Sequence, residues 1–539
     1  MSSQARNMRT LEVLFVVIAT VTAGLLRLFF LKEYPAGFQG DEAWMGLEAQ
    51  RILAHGWIGV WSPTGWGQPT GPFYWAAFLF SFLPDSVTVL RASTALLGTA
   101  TIPVFYLFIR SWYGGRAAII GTVLLAFSYW HTAYSRTAFG LISAPLVECG
   151  VLLFLGIGLR ERKFWPFLVA GVLSGLGMYT YRGYTFFAIL TAALWLVMLI
   201  LDRPYPFKPL FKHALIFAVA AVLLATPMLV FVATRYNDYM GYGRVVSVFN
   251  SPEYKAAAKN GESLSFLRNK LQRAISVYYV GRPPDTTDGM GPFGLLDPLT
   301  RVLFTVGVAI GLWRFRRWRY FIIPGGVVVG VLAVAITVPW GENRRGIAAL
   351  PLVFAAAAVG GDAVFGLFSA SLHKLKFRQI NLLYAGLAGV IAVAAVAYVA
   401  TWNSRVYFQK IAPSDATRFA YAYELSRAAN YLHSLPPTIG QDPYVYFYSG
   451  RWAWDYEARR FQAPNLNGED RSQNFGKFSL EWTSGHPVVV YLLMPPYDQY
   501  SKEIQRRYPG GACVQEKENG KLIYMAYILG SPRASASCT

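Results

Sequence analysis

Twelve apolar runs between residues 11 and 400 constrain the fold of this chain more than any other feature. The first run, 11–31, can cross a bilayer as a helix, because about 20 apolar residues span the hydrocarbon core. No small-residue cleavage motif follows it, so it is expected to be a retained span rather than a signal peptide. The other runs are 71–83, 87–109, 117–134, 141–159, 164–180, 184–201, 214–233, 298–313, 320–338, 347–368 and 381–400. The sequence therefore predicts a mainly α, polytopic helical membrane protein.

The charged residues are few and unevenly placed. They make up 14% of the chain, against about 25% in an average soluble domain. The deficit falls before residue 400, so we expect a transmembrane domain at 1–400 and a globular domain at 401–539. The second domain is predicted to be α/β, with helices at 415–433 and 499–507 and strands at 443–449, 487–493 and 521–529.

The basic residues predict the orientation. The run 71–83 is short for a span and fits an interfacial or re-entrant helix, which leaves eleven spans. One set of loops then holds seventeen Lys and Arg and the other set of short loops holds four, and the basic side faces the cytoplasm. The predicted cytoplasmic segments are the amino terminus with Arg6 and Arg9, and loops 110–116, 160–163, 203–212, 314–319 and 374–378. We expect a multi-pass plasma-membrane protein with an extracytoplasmic C-terminal domain.

An acid pair, Asp41 and Glu42, follows the first span in the predicted outer loop 32–86. It opens a helical pattern from Ala43 to Ala54, and acidic residues at a helix start also serve as caps. The two interpretations are compatible, since a capped helix end holds a carboxylate rigidly. A carboxylate at a membrane surface can act as a general base toward a hydroxyl. Gly40, just before the pair, allows close backbone approach of a substrate.

Aromatic residues lie close by in the predicted outer segments. Tyr74 and Trp75 follow a Pro- and Gly-containing turn, and Tyr134 ends the third span. Such residues anchor a protein at the membrane interface, or they wall a sugar pocket. Both interpretations stay open, and the three residues are candidate substrate-pocket residues.

Four arginines lie on the side where the positive-inside rule disfavours them: Arg136, Arg182, Arg344 and Arg345. Snorkelling or an ion pair with Glu342 is one explanation. The alternative is phosphate binding, because a guanidinium matches a phosphate group bidentately. A lipid phosphate arriving from the bilayer would meet these side chains, so they are candidate phosphate-binding residues.

Two further features have open interpretations. The long loop 234–297 is polar, with a helical middle and a Gly/Pro-rich end, and loops of this length are usually functional or disordered. A role in gating an acceptor or covering a substrate is plausible. Cys513 and Cys538 could pair if their domain is extracytoplasmic, or remain unpaired.

With these residues in view, the membrane part resembles the GT-C class of polyprenyl-phosphate-sugar glycosyltransferases. Within that class it is similar to bacterial relatives of the protein O-mannosyltransferases and aminoarabinose transferases. The resemblance covers about residues 8–400. It rests on Asp41-Glu42, the stretch 72–75, Arg91, Ser135-Arg136, and Arg345 with Leu350-Pro351.

The resemblance implies transfer of a monosaccharide from a polyprenyl-phosphate donor to an acceptor hydroxyl, with inversion, on the extracytoplasmic face. Asp41 would be the base, Glu42 would orient Asp41 or the acceptor, and the arginines would stabilise the leaving phosphate. The sequence departs from many relatives at Gln68-Pro69-Thr70, where they carry a Lys. It also departs at Gly140-Leu141, where they carry an acid. A divalent metal is compatible with the reaction, but the sequence supports no metal site and no other cofactor.

The expected partners are the lipid-linked donor, a protein, lipid or glycan acceptor, and membrane lipids. The net charge of +20 lies in loops between apolar runs, and no nucleic-acid motif is present, so no nucleic-acid partner is predicted. The alternatives are a membrane transporter, a structural subunit of a membrane complex, and a ligase that uses a diphosphate-lipid donor. Transporters usually show internal repeats and midplane charges, and the sequence shows no convincing repeat.

Overall fold

The architecture comes from a computed structural model that describes residues 3–281, 290–338, 343–373, 378–439, 442–472 and 486–530. The first helices are α1 (Ser3–Leu28), α2 (Gly40–His55), α3 (Gly71–Phe80), α4 (Val87–Tyr113), α5 (Gly115–Phe127), α6 (Tyr129–Ser135), α7 (Ser143–Glu161), α8 (Phe164–Gly177), α9 (Tyr184–Ile200) and α10 (Phe207–Thr234). Two short antiparallel strands, β1 (Trp61–Ser62) and β2 (Gln68–Pro69), lie between α2 and α3.

The chain continues with helices through residue 439. They are α11 (Tyr236–Val246), α12 (Pro252–Lys259), α13 (Ser263–Ser276), α14 (Pro298–Trp313), α15 (Trp318–Ala335), α16 (Leu350–His373), α17 (Arg378–Ser404), α18 (Asp415–Ala420) and α19 (Tyr423–Ile439). Local sequence explains several boundaries. The Asp297 carboxylate caps α14, whose first residue is Pro298, and Gly261 separates α12 from α13 in a left-handed conformation.

The apolar helices match the predicted spans. Within the described residues, α1, α4, α7, α10, α15, α16 and α17 are long and apolar enough to cross a membrane, and α5, α8, α9 and α14 are shorter apolar helices. Together they coincide with the eleven runs expected to cross. The helix formed by run 71–83, α3, has 10 residues and is about 15 Å long, which is too short for a span. The predicted polytopic helical fold is therefore confirmed, with about eleven spans.

The basic loops meet at one end of the helix bundle, here called the basic end: loops 110–116, 160–163, 203–212 and 314–319. The Arg110 guanidinium pairs with Glu12 at 2.7 Å, and Asp202 pairs with Arg317 at 3.1 Å. The acid pair lies at the opposite end, because Arg91, near the start of α4, contacts Glu42, whereas Arg110 is in the last turn of α4. These four basic loops therefore lie at the end of the bundle opposite the acid pair, as predicted, whereas residues 374–377 of the predicted loop 374–378 lie outside the described residues.

After the bundle comes an α/β part built on a five-stranded mixed sheet. Its remaining elements are β3 (Tyr444–Tyr448), α20 (Glu457–Gln462), β4 (Gly468–Asp470), β5 (Val489–Leu493), α21 (Ser501–Arg507), β6 (Ala512–Glu518) and β7 (Lys521–Leu529). The strand order is β4-β3-β5-β7-β6. β3 is parallel to β4 and β5, whereas β7 is antiparallel to β5 and β6. Helix α19 packs on one face and α21 on the other, because side chains alternate along each strand.

The sheet predictions were right in part. The strands predicted at 443–449, 487–493 and 521–529 correspond to β3, β5 and β7, whereas α20, β4 and β6 were not predicted. Cys513 is disulfide-bonded and Cys149 is a free buried thiol. Cys538, for which pairing with Cys513 was one of two open interpretations, lies outside the described residues.

The α/β part is joined to the bundle through α20. Phe461 of α20 packs with Phe38 and Phe80 at the start of the chain, in one apolar cluster with Ala43 and Leu90. The ring of Phe461 occupies the space that a side chain at Gly46 of α2 would need. Helix α2 is therefore held between the membrane helices on one side and the C-terminal domain on the other.

The two ends of the bundle predict a labelling pattern in intact cells. His55, at the end of α2, and Lys502, in the C-terminal domain, are both exposed, so His55→Cys and Lys502→Cys should react with a membrane-impermeant maleimide. Arg160→Cys and Arg316→Cys, exposed at the basic end, should react only after permeabilisation. Reaction of Arg160→Cys in sealed cells would contradict the orientation, and the unsubstituted protein gives the background.

Candidate active site at the start of helix α2

Helix α2 begins at Gly40, so both members of the acid pair lie in its first turn. Its N-cap residue is Gln39, and not Asp41. The backbone N–H of Gln39 donates to the Glu42 carboxylate at 3.2 Å. Glu42 therefore fulfils the capping role that was considered for the pair, while the Asp41 side chain has no part in the cap.

Glu42 is fully buried in an ion pair with Arg91. The Arg91 Nε and Nη2 atoms each lie 2.9 Å from a different Glu42 oxygen, which is a bidentate geometry. The Ala138 N–H donates to the same carboxylate at 2.9 Å. Arg91 also donates to the carbonyls of Leu31, Pro35 and Gly37. The pair thus ties together α4, the segment after α1, the segment after α6, and the start of α2.

Asp41, by contrast, is accessible. Its carboxylate is about a third exposed and pairs with Arg344, whose Nη1 lies 2.8 Å from Oδ2. The Arg344 guanidinium also lies over the ring of Phe139, with 5.9 Å to the ring centroid. The structure brings together an acid after the first span and a guanidinium after α15, which are 303 positions apart in sequence.

The other three candidate arginines lie in different surroundings. Arg345 is nearly buried and donates to the Val338 carbonyl at 2.9 Å. Arg136 is buried and donates to the carbonyl of Leu26 in the last turn of α1 and to those of Phe30 and Tyr34 just after it. Arg136 therefore holds the end of the first helix through these three hydrogen bonds, which measure 2.8, 2.9 and 3.0 Å.

Arg182 is surrounded by aromatic rings from the β1–β2 segment and from α11. Its guanidinium lies over the rings of Trp61, Tyr239 and Tyr242 at 4.9, 5.3 and 5.5 Å, and it donates to the Gly67 carbonyl at 3.3 Å. Such contacts are favourable for arginine. Arg182 thus connects the β1–β2 segment to α11 in the long loop 234–297.

The three candidate pocket aromatics contact the protein itself. The Tyr74 hydroxyl accepts from the Ile58 N–H at 2.8 Å, and its ring stacks on Trp57. The Trp75 indole donates to the Ser93 carbonyl at 2.9 Å. Tyr134 is buried beside Phe139, with 6.4 Å between the ring centroids. Tyr134 is connected to the Asp41–Arg344 pair through Phe139, whereas Tyr74 holds the segment before α3 and Trp75 contacts α4.

Two residues beside the candidate site, Tyr456 and Glu457, were not predicted from the sequence, and both lie in the C-terminal domain. The Gly40 N–H donates to the Tyr456 hydroxyl at 3.2 Å. A Cβ at Gly40 would lie 2.8 Å from that hydroxyl and 3.3 Å from the Glu457 Oε2 atom. The close approach that Gly40 was expected to allow is therefore made by this domain. Gly40 was the one residue in the sequence that pointed to a close contact here. The sequence did not indicate which segment makes that contact, because the short helix α20 was not predicted.

Glu457 places a second carboxylate beside Asp41. Burial raises the pKa of Glu457 above its usual range, and the negative charges of Asp41 and Asp455 act in the same direction. Burial also raises the pKa of Tyr456 to about 12, so its hydroxyl stays protonated at neutral pH. In the described parts of the chain, no group of three or more His, Cys, Asp or Glu residues is placed to hold a metal ion.

The fold is similar to those of solved membrane proteins. ArnT from Cupriavidus metallidurans, bound to undecaprenyl phosphate, has a TM-score of 0.53 and 14% identity over 97% of this chain and 99% of that chain. The archaeal oligosaccharyltransferase AglB from Archaeoglobus fulgidus, in complex with an inhibitory peptide and a dolichol-phosphate, has a TM-score of 0.50 and 16% identity over 96% and 74%. No protein-family model and no curated protein sequence matches the chain. The chain has the GT-C fold that its sequence predicted.

The buried ion pair predicts a large loss of stability when one partner is removed. Arg91→Met leaves the Glu42 carboxylate buried without its counterion, which should cost about 3–5 kcal/mol. Glu42→Gln/Arg91→Met should be less destabilised than Arg91→Met alone, because no charge remains uncompensated. Thermal unfolding of the purified proteins in detergent measures this, with Arg235→Met as the control, because Arg235 and its partner Asp238 are both exposed. Equal stability of Arg91→Met and the unsubstituted protein would contradict the structural role.

Proposed function

We propose that this protein transfers a sugar from a polyprenyl-phosphate-linked donor to an acceptor hydroxyl on the extracytoplasmic face of the membrane. The observation that carries the proposal is the Asp41–Arg344 pair at 2.8 Å. It puts an accessible carboxylate next to a guanidinium at the end of the helix bundle opposite the basic loops. A base for the acceptor and a cation for the leaving phosphate are the two groups that such a transfer needs.

The fold supports the class of donor. The ArnT structure holds undecaprenyl phosphate, and the AglB structure holds a dolichol-phosphate. Both ligands are phosphates on a long prenyl chain, which reaches a protein from the bilayer. A site at the membrane boundary, such as that of Asp41 and Arg344, is suited to a donor of this kind.

In the proposed reaction, Asp41 accepts the proton of the acceptor hydroxyl. The oxygen of that hydroxyl attacks the anomeric carbon of the sugar at the same time. The bond from that carbon to the phosphate oxygen breaks, and the electron pair leaves with the polyprenyl phosphate. The proton on Asp41 then passes to solvent or to the released phosphate. A single displacement of this kind inverts the anomeric configuration, and Asp41 is the proposed base.

Arg344 is the candidate to stabilise the leaving phosphate. A guanidinium carries five N–H donors in one plane, so it can bridge a carboxylate and a phosphate oxygen. Arg345 is the next residue and is proposed to support the same site. Arg182 is proposed to contribute to donor binding from the loop that carries Trp61. Arg136 is proposed to contribute by holding α1 in position.

The carboxylates around Asp41 have separate proposed roles. Glu42 is buried, so it acts on a substrate only by orienting Asp41 and the first turn of α2. Glu457, half-buried in the C-terminal domain, is positioned to accept a hydrogen bond from the acceptor. The C-terminal domain would thereby help to complete the site from the side opposite the membrane.

The first test is the change Asp41→Asn, which keeps the size of the side chain and removes its charge and basicity. We expect the transfer rate to fall by about 10²–10⁴, the usual contribution of a general base, while donor binding and thermal stability stay near those of the unsubstituted protein. The assay follows product formation from a polyprenyl-phosphate sugar. Asp85→Asn, at an exposed carboxylate that accepts from Gln50, is the matched control and should retain full activity.

Near-normal transfer by Asp41→Asn would overturn the proposed mechanism. Unfolding of Asp41→Asn would favour a purely structural role for the acid pair. A parallel assay with a diphosphate-linked glycan tests the ligase alternative, because activity on that donor alone would reassign the donor class.

The second test concerns the phosphate. Arg344→Ala should weaken binding of a polyprenyl-phosphate sugar by about ten- to a hundredfold, since a hydrogen bond to a charged group contributes about 1.5–3 kcal/mol. Arg344→Lys should bind with intermediate affinity, because it keeps the charge and loses the planar fork. Binding is measured by calorimetry in detergent. The exposed Arg235→Ala is the control, and unchanged affinity of Arg344→Ala would reject the assignment.

A further inference from the structure

A cavity of about 390 Å³ opens at the basic end, far from Asp41, where the turn after α9 meets the connection between α14 and α15. It is lined by Asp202, Arg314, Arg317, Trp318, Arg319 and Tyr320. We propose that this basic cavity binds the phosphate headgroup of an anionic membrane phospholipid. The inference is independent of the proposed transfer reaction.

The cavity carries an uncompensated positive charge. Three arginines and one carboxylate line it, and that carboxylate, Asp202, pairs with Arg317 at 3.1 Å and accepts the Trp318 N–H at 3.0 Å. Across the part of the chain that the structure describes, neither Arg314 nor Arg319 forms a salt bridge. An anion is therefore the ligand that the lining complements.

The remaining guanidinium groups are held by aromatic side chains rather than by acids. Arg314 donates to the Tyr320 hydroxyl at 3.2 Å and lies over that ring at 5.3 Å. Arg319 lies over the Trp318 ring at 5.1 Å. A guanidinium has five N–H donors, so an arginine that lies beside a ring keeps donors that can bind a phosphate group. The arginines are thus positioned before an anion arrives.

Contacts with α4 hold two of the residues that line the cavity. The Trp318 ring packs edge-on against Trp112, with 5.1 Å between the centroids, and the Tyr113 hydroxyl donates to the Arg319 carbonyl at 2.5 Å. Both partners come from the last turn of α4. The cavity is therefore walled by the ends of apolar helices, and not by a separate soluble segment.

This location favours a lipid over a dissolved anion. The cavity lies at the ends of apolar helices, and its neighbours Leu312, Trp313 and Phe315 are exposed, Trp313 by 77%. Exposed aromatic residues beside arginines are typical of the membrane interface, where phospholipid phosphates lie. Basic pockets between membrane helices bind anionic headgroups in this way, and the volume is within the range of small-ligand sites. The exposed apolar residues would contact the acyl chains.

The test measures lipid retention by the full-length protein in detergent, using native mass spectrometry. The probes are a phosphatidylglycerol and a phosphatidylcholine with identical acyl chains. The unsubstituted protein should retain phosphatidylglycerol preferentially. Arg314→Gln/Arg319→Gln should reduce this retention by at least about tenfold, because the two substitutions remove charged hydrogen bonds to the phosphate.

Arg160→Gln/Lys163→Gln is the matched control. It removes two exposed charges from another loop of the basic end, where both pair with Glu161. This variant should keep the preference for phosphatidylglycerol. Equal losses in the two variants would show diffuse charge attraction and overturn the proposal. Displacement of the lipid by millimolar inorganic phosphate would instead indicate a site for a soluble anion and also overturn it. Comparable melting temperatures exclude misfolding as the cause of a loss.

Discussion

The buried ion pair between Glu42 and Arg91 is the contact on which the arrangement of the site depends. Two charges removed from water are costly unless their geometry and remaining hydrogen bonds are good, and here the pair is bidentate and supplemented by backbone groups. Arg91 also binds three carbonyls of the segment that leaves α1. Helix α2, the membrane helix α4 and the connection between α1 and α2 are thus fixed relative to one another.

With the start of α2 fixed by Glu42, the neighbouring side chain of Asp41 points to a different environment. It reaches Arg344 and stays partly exposed, while its neighbour in sequence is fully buried. Two adjacent carboxylates therefore have different surroundings, one suited to holding the backbone and the other to meeting a ligand. The C-terminal domain adds Tyr456 and Glu457 at Gly40, so three separate parts of the chain converge on one helix turn.

The environments of the four arginines Arg136, Arg182, Arg344 and Arg345 depend on tertiary contacts, most of which are distant in sequence. All four were singled out because the predicted orientation disfavours a basic residue at their positions, and the structure gives each a specific environment. Arg344 pairs with Asp41, Arg182 lies among aromatic rings, and Arg136 and Arg345 bind backbone carbonyls. Charge and position marked these residues as exceptional, but phosphate binding was only one of several explanations. The helix packing decides which arginine has carbonyls nearby and which has a carboxylate.

The sequence by itself determined the features that depend on local hydropathy and charge. These are the apolar helices, the short α3, the separation of basic loops from the acid pair, and most of the C-terminal sheet. Only the tertiary structure decided that Glu42 meets Arg91, that Asp41 meets Arg344, and that Glu457 lies beside Gly40. The physical reason is the distance along the chain over which the interactions act. A helix forms from the properties of its own residues, whereas the partner of a charged side chain is set by the packing of helices that are far apart in the chain.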